Sequence, residues 1–110
     1  MDMPVAMTNT QKEIGLSGAS DISHGMLFIW KEPDNRYFWM KGTPHPLSIA
    51  FFDQDYRITA IERMEPNTLT IHASPGPALG ALELPQGRFQ ALGATPGMQI
   101  TITPSPQEPH

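Results

Sequence analysis

The sequence contains no cysteine, so it offers no disulfide framework, no thiolate metal ligand and no thiol nucleophile. Charged residues are also scarce, at 16% of the chain, and the formal net charge is −4. The Lys and Arg residues form no cluster, whereas nucleic-acid binding usually needs a basic face that neutralises phosphates. We therefore expect no nucleic-acid partner.

Long apolar runs are also missing. No run approaches the roughly 18 residues that a membrane-spanning helix requires, so we expect no membrane span. Residues 1–10 lack the charged-then-apolar layout of a signal peptide. The expected location is cytoplasmic if the chain is complete as given, and periplasmic or secreted if a leader has been removed. The lack of cysteine fits a reducing or an oxidising compartment equally.

What is present suits one small domain. The length of 110 residues fits a single domain, which we expect over residues 1–103. Residues 104–110 form a Pro-rich polar tail that we expect to be disordered. The 12 prolines and 9 glycines are spread along the chain and mark turns between short elements.

Apolar runs and alternating segments predict mostly strands. Strands are expected at residues 5–7, 26–30, 37–41, 47–52, 57–65, 69–72, 81–84 and 98–103, and short helices at residues 11–16 and 85–92. Residues 32–35 should turn, so that strands 26–30 and 37–41 form a hairpin. The predicted fold is mainly β, at the margin of α+β. It is a compact, barrel-like, mostly antiparallel curved sheet of about seven strands with one or two short helices.

Three segments stand in a characteristic order and spacing: 25–30 (GMLFIW), 38–53 (FWMKGTPHPLSIAFFD) and 82–93 (LELPQGRFQALG). Together they resemble the domain-of-unknown-function family number 192, a group of small bacterial and archaeal domains. The likeness runs from about Val5 to Ile102. The chain departs from it at Gly42, where the family usually carries Asn, and at Ser48, where it usually carries Asp.

The resemblance implies a compact β-rich fold and little chemistry, because the family has no settled activity. Family members often carry an export signal, which implies an extracytoplasmic role.

The segment around Trp39 is the candidate binding surface. Strand alternation predicts Tyr37, Trp39 and Lys41 on one face and Phe38 and Met40 on the other. Aromatic rings beside a cation can bind a sugar or another flat polar ligand by stacking and a charged hydrogen bond. In the alternative interpretation, Trp39 belongs to the core and Lys41 extends over it to reach water.

Three further residues complete the candidate binding set with Trp39 and Lys41: Thr43, His45 and Asp53. His45 lies between two prolines, which would present it rigidly. Asp53 and Asp55 have the spacing that begins a calcium loop, but the rest of that pattern is absent, so they are expected to cap a hairpin turn.

No catalytic or metal-binding pattern stands out. The histidines have no ligand-pair spacing, no serine lies in a nucleophile elbow, and no Gly-rich phosphate loop occurs, so we expect no metal and no cofactor. Acid pairs such as Glu62 and Glu65 are expected to be solvated charges on a strand edge.

The leading functional prediction is a non-enzymatic binding or accessory module for a carbohydrate or another small polar ligand. One alternative is a small enzyme whose site at a barrel mouth uses Lys41, Asp53 and His45. Another is a protein-interaction module whose exposed aromatic residues contact another chain. Nothing in the sequence indicates an oligomeric state.

Overall fold

The computed structural model describes residues 5–6 and 25–101 of the chain. These residues form seven strands and one helix: β1 (Val5–Ala6), β2 (Met26–Asp34), β3 (Tyr37–Phe38), β4 (Leu47–Phe52), β5 (Ile58–Met64), β6 (His72–Ala73), β7 (Ala78–Pro85) and α1 (Arg88–Ala91). The helix predicted at residues 11–16 and the tail predicted at residues 104–110 lie outside the described residues.

Five of the strands form one sheet, called here the main sheet, in the order β1-β2-β7-β4-β5. Only β1 pairs in parallel, with β2, and the other neighbours are antiparallel. Strands β3 and β6 form a separate antiparallel pair, called here the small sheet. The prediction of a mainly β, mostly antiparallel fold is therefore confirmed. The strands of the described residues do not close into a barrel, because the order of the main sheet ends at β1 on one side and at β5 on the other.

The centre of the main sheet is buried on both faces. All six residues of β4 are buried, which is the expected environment for a continuous apolar strand. On one face, Ile49 and Phe51 pack against Phe28 of β2 and against Phe38 and Met40 of the segment that carries the small sheet. On the other face, a second layer covers the sheet with residues from α1 and the segment after it.

Aromatic packing fixes the small sheet onto the main sheet. The ring of Phe38 meets the ring of Phe28 edge-on at a centroid distance of 5.0 Å and lies 5.8 Å from the ring of Phe51. Such pairs add to the free energy of burial because their edge-to-face geometry is electrostatically favourable. The inward Phe38 thereby determines where its neighbours in sequence, Tyr37 and Trp39, lie.

The predicted hairpin between residues 26–30 and 37–41 is wrong. Strand β2 does not turn at residues 32–35 but continues to Asp34, which pairs with Ala78 of β7 after a register shift. Strand β7 remains paired with β2 as far as Asp34, and β1 pairs with the other side of β2 at Leu27 and Phe28. The chain instead crosses over the main sheet, and β3 pairs with β6.

Several other elements differ from their predicted bounds. The strand expected at residues 37–41 is reduced to β3 at Tyr37–Phe38, and the strand expected at residues 69–72 is β6 at His72–Ala73. The helix expected at residues 85–92 is reduced to one turn, since Pro85 still belongs to β7 and Gly87 adopts a left-handed φ of 89°. The strand expected at residues 98–103 appears within the described residues only as a bridge between Arg57 and Gln99. In this segment Met98 accepts a backbone hydrogen bond from Ile58, and Ile100 donates one to Tyr56, at the start of β5.

We expect Gly80→Ala to destabilise the fold by about 2 kcal/mol or more, the cost of overpacking a closely packed core. A Cβ atom at Gly80 would overlap the carbonyl oxygen of Phe28 and the ring of Phe52. Gly76→Ala is the matched control, because a Cβ there meets nothing within 4 Å. Urea unfolding of both variants tests this, and equal midpoints would show that the contact at Gly80 can relax.

Candidate functional site

The predicted alternation around Trp39 is present in the structure. Tyr37 is 64% exposed and Trp39 is 49% exposed, whereas Met40 is buried and Phe38 is half-buried in the layer between the two sheets. Trp39 is therefore not a core residue. Strand β3 itself covers only Tyr37 and Phe38, and the alternation of exposed and buried side chains continues beyond it to Lys41.

The ammonium group of Lys41 lies over the ring of the exposed Trp39. Its Nζ atom is 5.4 Å from the centroid of the Trp39 ring, within the range of a cation–π contact. Lys41 is itself exposed, and within the described residues it makes no ion pair. The pair thus presents half of an indole surface and one ammonium group to solvent.

Apolar side chains from the neighbouring segment extend this surface. In the small sheet Tyr37 pairs with Ala73 and Phe38 with His72, and beyond it the N–H of Met40 donates to the carbonyl oxygen of Thr68 (3.2 Å), so residues 69–71 run alongside Trp39. Ile71 is 55% exposed and Leu69 is 63% exposed. We call the surface formed by Tyr37, Trp39, Lys41, Leu69 and Ile71 the aromatic face. The sequence analysis missed Leu69 and Ile71 because the 69–72 strand had no identified partner.

Two more of the predicted binding residues follow Lys41 in the chain. Thr43 is buried, its N–H donates to the carbonyl oxygen of Met40 (3.0 Å), and its own carbonyl oxygen accepts from the N–H of Asn67 (3.0 Å). These are backbone contacts of a turn that joins the two segments of the aromatic face. His45 is half-buried in the connection between this turn and β4.

The same turn explains the departure from the family at Gly42. Gly42 has a φ of 70°, in the left-handed region. After glycine, asparagine is among the residues that tolerate this region best. Gly and Asn at this position therefore satisfy the same backbone requirement, and the replacement does not by itself mark the loss of a binding group.

Asp53 lies away from the other candidates. It follows β4, whereas Lys41 and His45 precede it, and six strand residues span roughly 20 Å. Its Oδ1 atom accepts hydrogen bonds from the N–H groups of Asp55 (2.9 Å) and Arg57 (3.1 Å). Asp53 thus caps the β4–β5 hairpin, as its spacing predicted. The structure does not bring Lys41, His45 and Asp53 together.

A second tryptophan–cation pair has a different character. The guanidinium of Arg36 lies 4.0 Å from the centroid of the Trp30 ring, beside a groove of about 350 Å³. Its Nη2 atom donates to the carbonyl oxygen of Glu32 (2.6 Å) and its Nε atom to that of Ala78 (3.2 Å). Burial lowers the pKa of Arg36, and the charge of Asp34 opposes this shift. Backbone carbonyls thus hold Arg36 in place against β2 and β7.

Between the two sheets lies a polar pair that the sequence did not reveal. The Nδ1 atom of His72 is 2.9 Å from the Oε1 atom of Glu62. Glu62 lies on the edge strand β5 and its side chain is 38% exposed, so this edge charge is paired as well as partly solvated. The Nε2 atom of His72 is buried and has no hydrogen-bond partner among the described residues. In the register, Glu62 and Glu83 both pair with Ile49, so they lie on the same face of the main sheet as this layer.

Glu83 is a buried acid in the central strand β7. Removal from water penalises its charged form and raises its pKa from 4.5 to about 7. The sequence did indicate a buried acid at this position, since Glu83 is the one charged residue in the otherwise apolar β7.

The described residues contain no group of three His, Asp or Glu side chains that could hold a metal ion. The helix of the described part of the chain is also too short to cross a membrane.

Comparisons with known proteins agree with the resemblance that the sequence indicated. The profile of the family DUF192, described as Uncharacterized ACR, matches residues 1–102. A crystal structure of a putative transcription regulator from Sinorhizobium meliloti 1021 is 35% identical, with a TM-score of 0.80, over 84% of this chain and 74% of that chain.

A protein of unknown function from Novosphingobium aromaticivorans DSM 12444 is 33% identical, with a TM-score of 0.80, over 84% of this chain and 69% of that chain. Curated proteins give no match.

The raised pKa of Glu83 predicts a pH-dependent stability. The folded state holds this proton up to about pH 7, whereas the unfolded chain releases it near pH 4.5. Protonation of Glu83 therefore contributes its full stabilisation below pH 4.5, and this contribution is lost as the pH rises through 7. The free energy of unfolding should fall by about 3 kcal/mol over this range.

Glu83→Gln should remove this part of the pH dependence and should be more stable than the parent protein at pH 8. Urea unfolding between pH 5 and 8 measures the effect, and the exposed Glu65→Gln is the control. If Glu83→Gln and the parent protein lose stability equally over this range, Glu83 is not responsible for the titration.

Proposed function

This chain belongs to the family DUF192, and we propose that it is a non-enzymatic binding domain that holds a carbohydrate on its aromatic face. The observation that carries the proposal is the half-exposed indole of Trp39 with the ammonium group of Lys41 at 5.4 Å from its ring centroid. A sugar ring has an apolar face that can stack on the indole, and its hydroxyl groups can accept hydrogen bonds from the ammonium group.

The shape of the surface also bears on the expected affinity. The aromatic face is open, so it would cover one side of a sugar and leave the other side in water. A few contacts of this kind support a dissociation constant on the order of 1 mM per sugar unit, which corresponds to about −4 kcal/mol. Several linked sugar units could then raise the overall affinity.

A binding role is favoured over a small enzyme because the acid that such a site would use, Asp53, lies beyond the far end of β4 and caps a turn. A nucleic-acid role is not proposed. The Sinorhizobium protein is a putative transcription regulator, but the net charge of −4 and the lack of a Lys/Arg cluster in this sequence disfavour a nucleic-acid partner.

A second candidate function is supported by Leu69 and Ile71. Both are more than half exposed, and they add aliphatic surface beside Tyr37 and Trp39. Aromatic and aliphatic side chains that are exposed side by side are typical of protein–protein contact surfaces. In this case the aromatic face would contact another protein chain instead of a sugar.

Titration of the ¹⁵N-labelled protein with a panel of neutral and acidic oligosaccharides tests the first proposal. We expect amide chemical-shift changes at residues 37–43 and 67–73, and we expect Trp39→Ala to weaken binding at least tenfold by removing the stacking surface. Since Trp39 is half exposed, this variant should lose less than about 1 kcal/mol of folding stability.

Leu92→Ala is the matched control, because Leu92 is an exposed apolar residue that follows α1, away from the small sheet. It should bind the sugar as the parent protein does. The sugar proposal fails if no oligosaccharide shifts these amides, or if Trp39→Ala binds as tightly as Leu92→Ala. Concentration-dependent shifts at the same amides without any sugar would favour the protein-contact function.

A further inference from the structure

The charges of this protein are distributed unevenly around the aromatic face. Its two segments, residues 35–52 and residues 66–82, contain no Asp or Glu, although the chain has 11 of them. The same segments contain Arg36, Lys41, His45 and His72. In a chain with a net charge of −4, the aromatic face is thus built from segments that carry only cationic or neutral side chains.

Two of the nearby acids, Glu62 and Asp34, are engaged in contacts of their own, whereas Glu65 adjoins the second segment and is exposed. Glu62 lies beside the small sheet, but its Oε1 atom contacts the half-buried His72 in the layer between the sheets. Asp34 accepts a hydrogen bond from the N–H of Asn35 and acts on Arg36. Within the described residues no acid forms an ion pair with Lys41.

Lys41 differs in this respect from three of the arginines of the described residues. Arg36, Arg57 and Arg63 each donate to an oxygen atom of the protein, at 2.6, 3.4 and 3.2 Å respectively. Lys41 instead holds its charge beside an exposed ring. An ammonium group that is exposed in this way attracts an anion from solution, and screening by salt weakens that attraction.

From this complementarity we propose that the ligand of the aromatic face is a carboxylate-bearing oligosaccharide, that is, an oligomer of uronic acids. The inference rests on the proposed function and deepens it. A uronic acid unit stacks the apolar face of its ring on Trp39, and the carboxylate attached to that ring pairs with the ammonium group of Lys41. A neutral sugar makes the stacking contact but leaves the charge of Lys41 unpaired.

The test uses a ligand pair that differs only in charge. An oligogalacturonate and its methyl ester present the same sugar rings, but the ester has no carboxylate. In NMR titrations of the full chain at low salt, we expect the acid to bind about fivefold more tightly than the ester, the range of one solvent-exposed ion pair. In 0.5 M salt this preference should largely disappear.

Variants at position 41 assign the preference to one residue. Lys41→Gln should bind the acid and the ester equally, whereas Lys41→Arg should retain the preference because it keeps the charge. Lys31→Gln is the control, because it removes one positive charge at the groove beside Trp30 and leaves the aromatic face unchanged. It should retain the preference of the parent protein.

The outcomes separate this inference from the proposed function. If acid and ester bind equally to the parent protein and both require Trp39, the face binds sugar and the uronate inference is wrong. A sulfated oligosaccharide that binds more tightly than the oligogalacturonate would also overturn it, since the anion would then not be a carboxylate. If neither the acid nor the ester binds, the proposed function fails as well.

Discussion

Burial of strands β4 and β7 on both faces is the constraint on which the rest of this structure depends. These two strands are the centre of the main sheet, and their apolar side chains point in both directions. A sheet of this kind is stable only if a layer covers each face. The segment containing α1 covers one face, and the small sheet covers the other.

The aromatic face is a consequence of the small sheet covering one face of the main sheet. Phe38 and Met40 enter the layer between the sheets, and the extended backbone then turns Tyr37 and Trp39 outward. The inward residues hold the segment in place, and the outward residues are not needed for that packing. The outer surface of the small sheet can therefore differ in chemistry without loss of the core, which makes it a suitable place for binding.

Patterns that depend on neighbouring residues could be predicted from the sequence. The run at residues 47–52 became β4 with the expected bounds, the alternation at residues 37–41 gave the expected exposure, and Asp53 caps its turn. The pairing of strands could not be predicted in the same way. The choice of β6 as partner for β3 depends on how long β2 remains bonded to β7, which no local pattern reveals.

The polar groups between the sheets were unpredictable for a similar reason. His72 and Glu62 are brought together by the stacking of the small sheet on the main sheet, so their contact depends on tertiary packing. Glu83 was visible as an acid within an apolar strand, but its raised pKa follows from layers on both sides of that strand. The role of Gly42 became clear only from its backbone φ angle of 70°, which lies in the left-handed region.

The two tryptophans provide a built-in optical contrast. The chain has only these two, and each has a cation above its ring, but Trp30 is half-buried beneath an arginine held by carbonyl groups, while Trp39 is open to solvent. Indole emission shifts to longer wavelength as its surroundings become more polar. The red part of the protein's fluorescence therefore arises mainly from Trp39, and a soluble quencher that selects this part reports on the aromatic face without any added label.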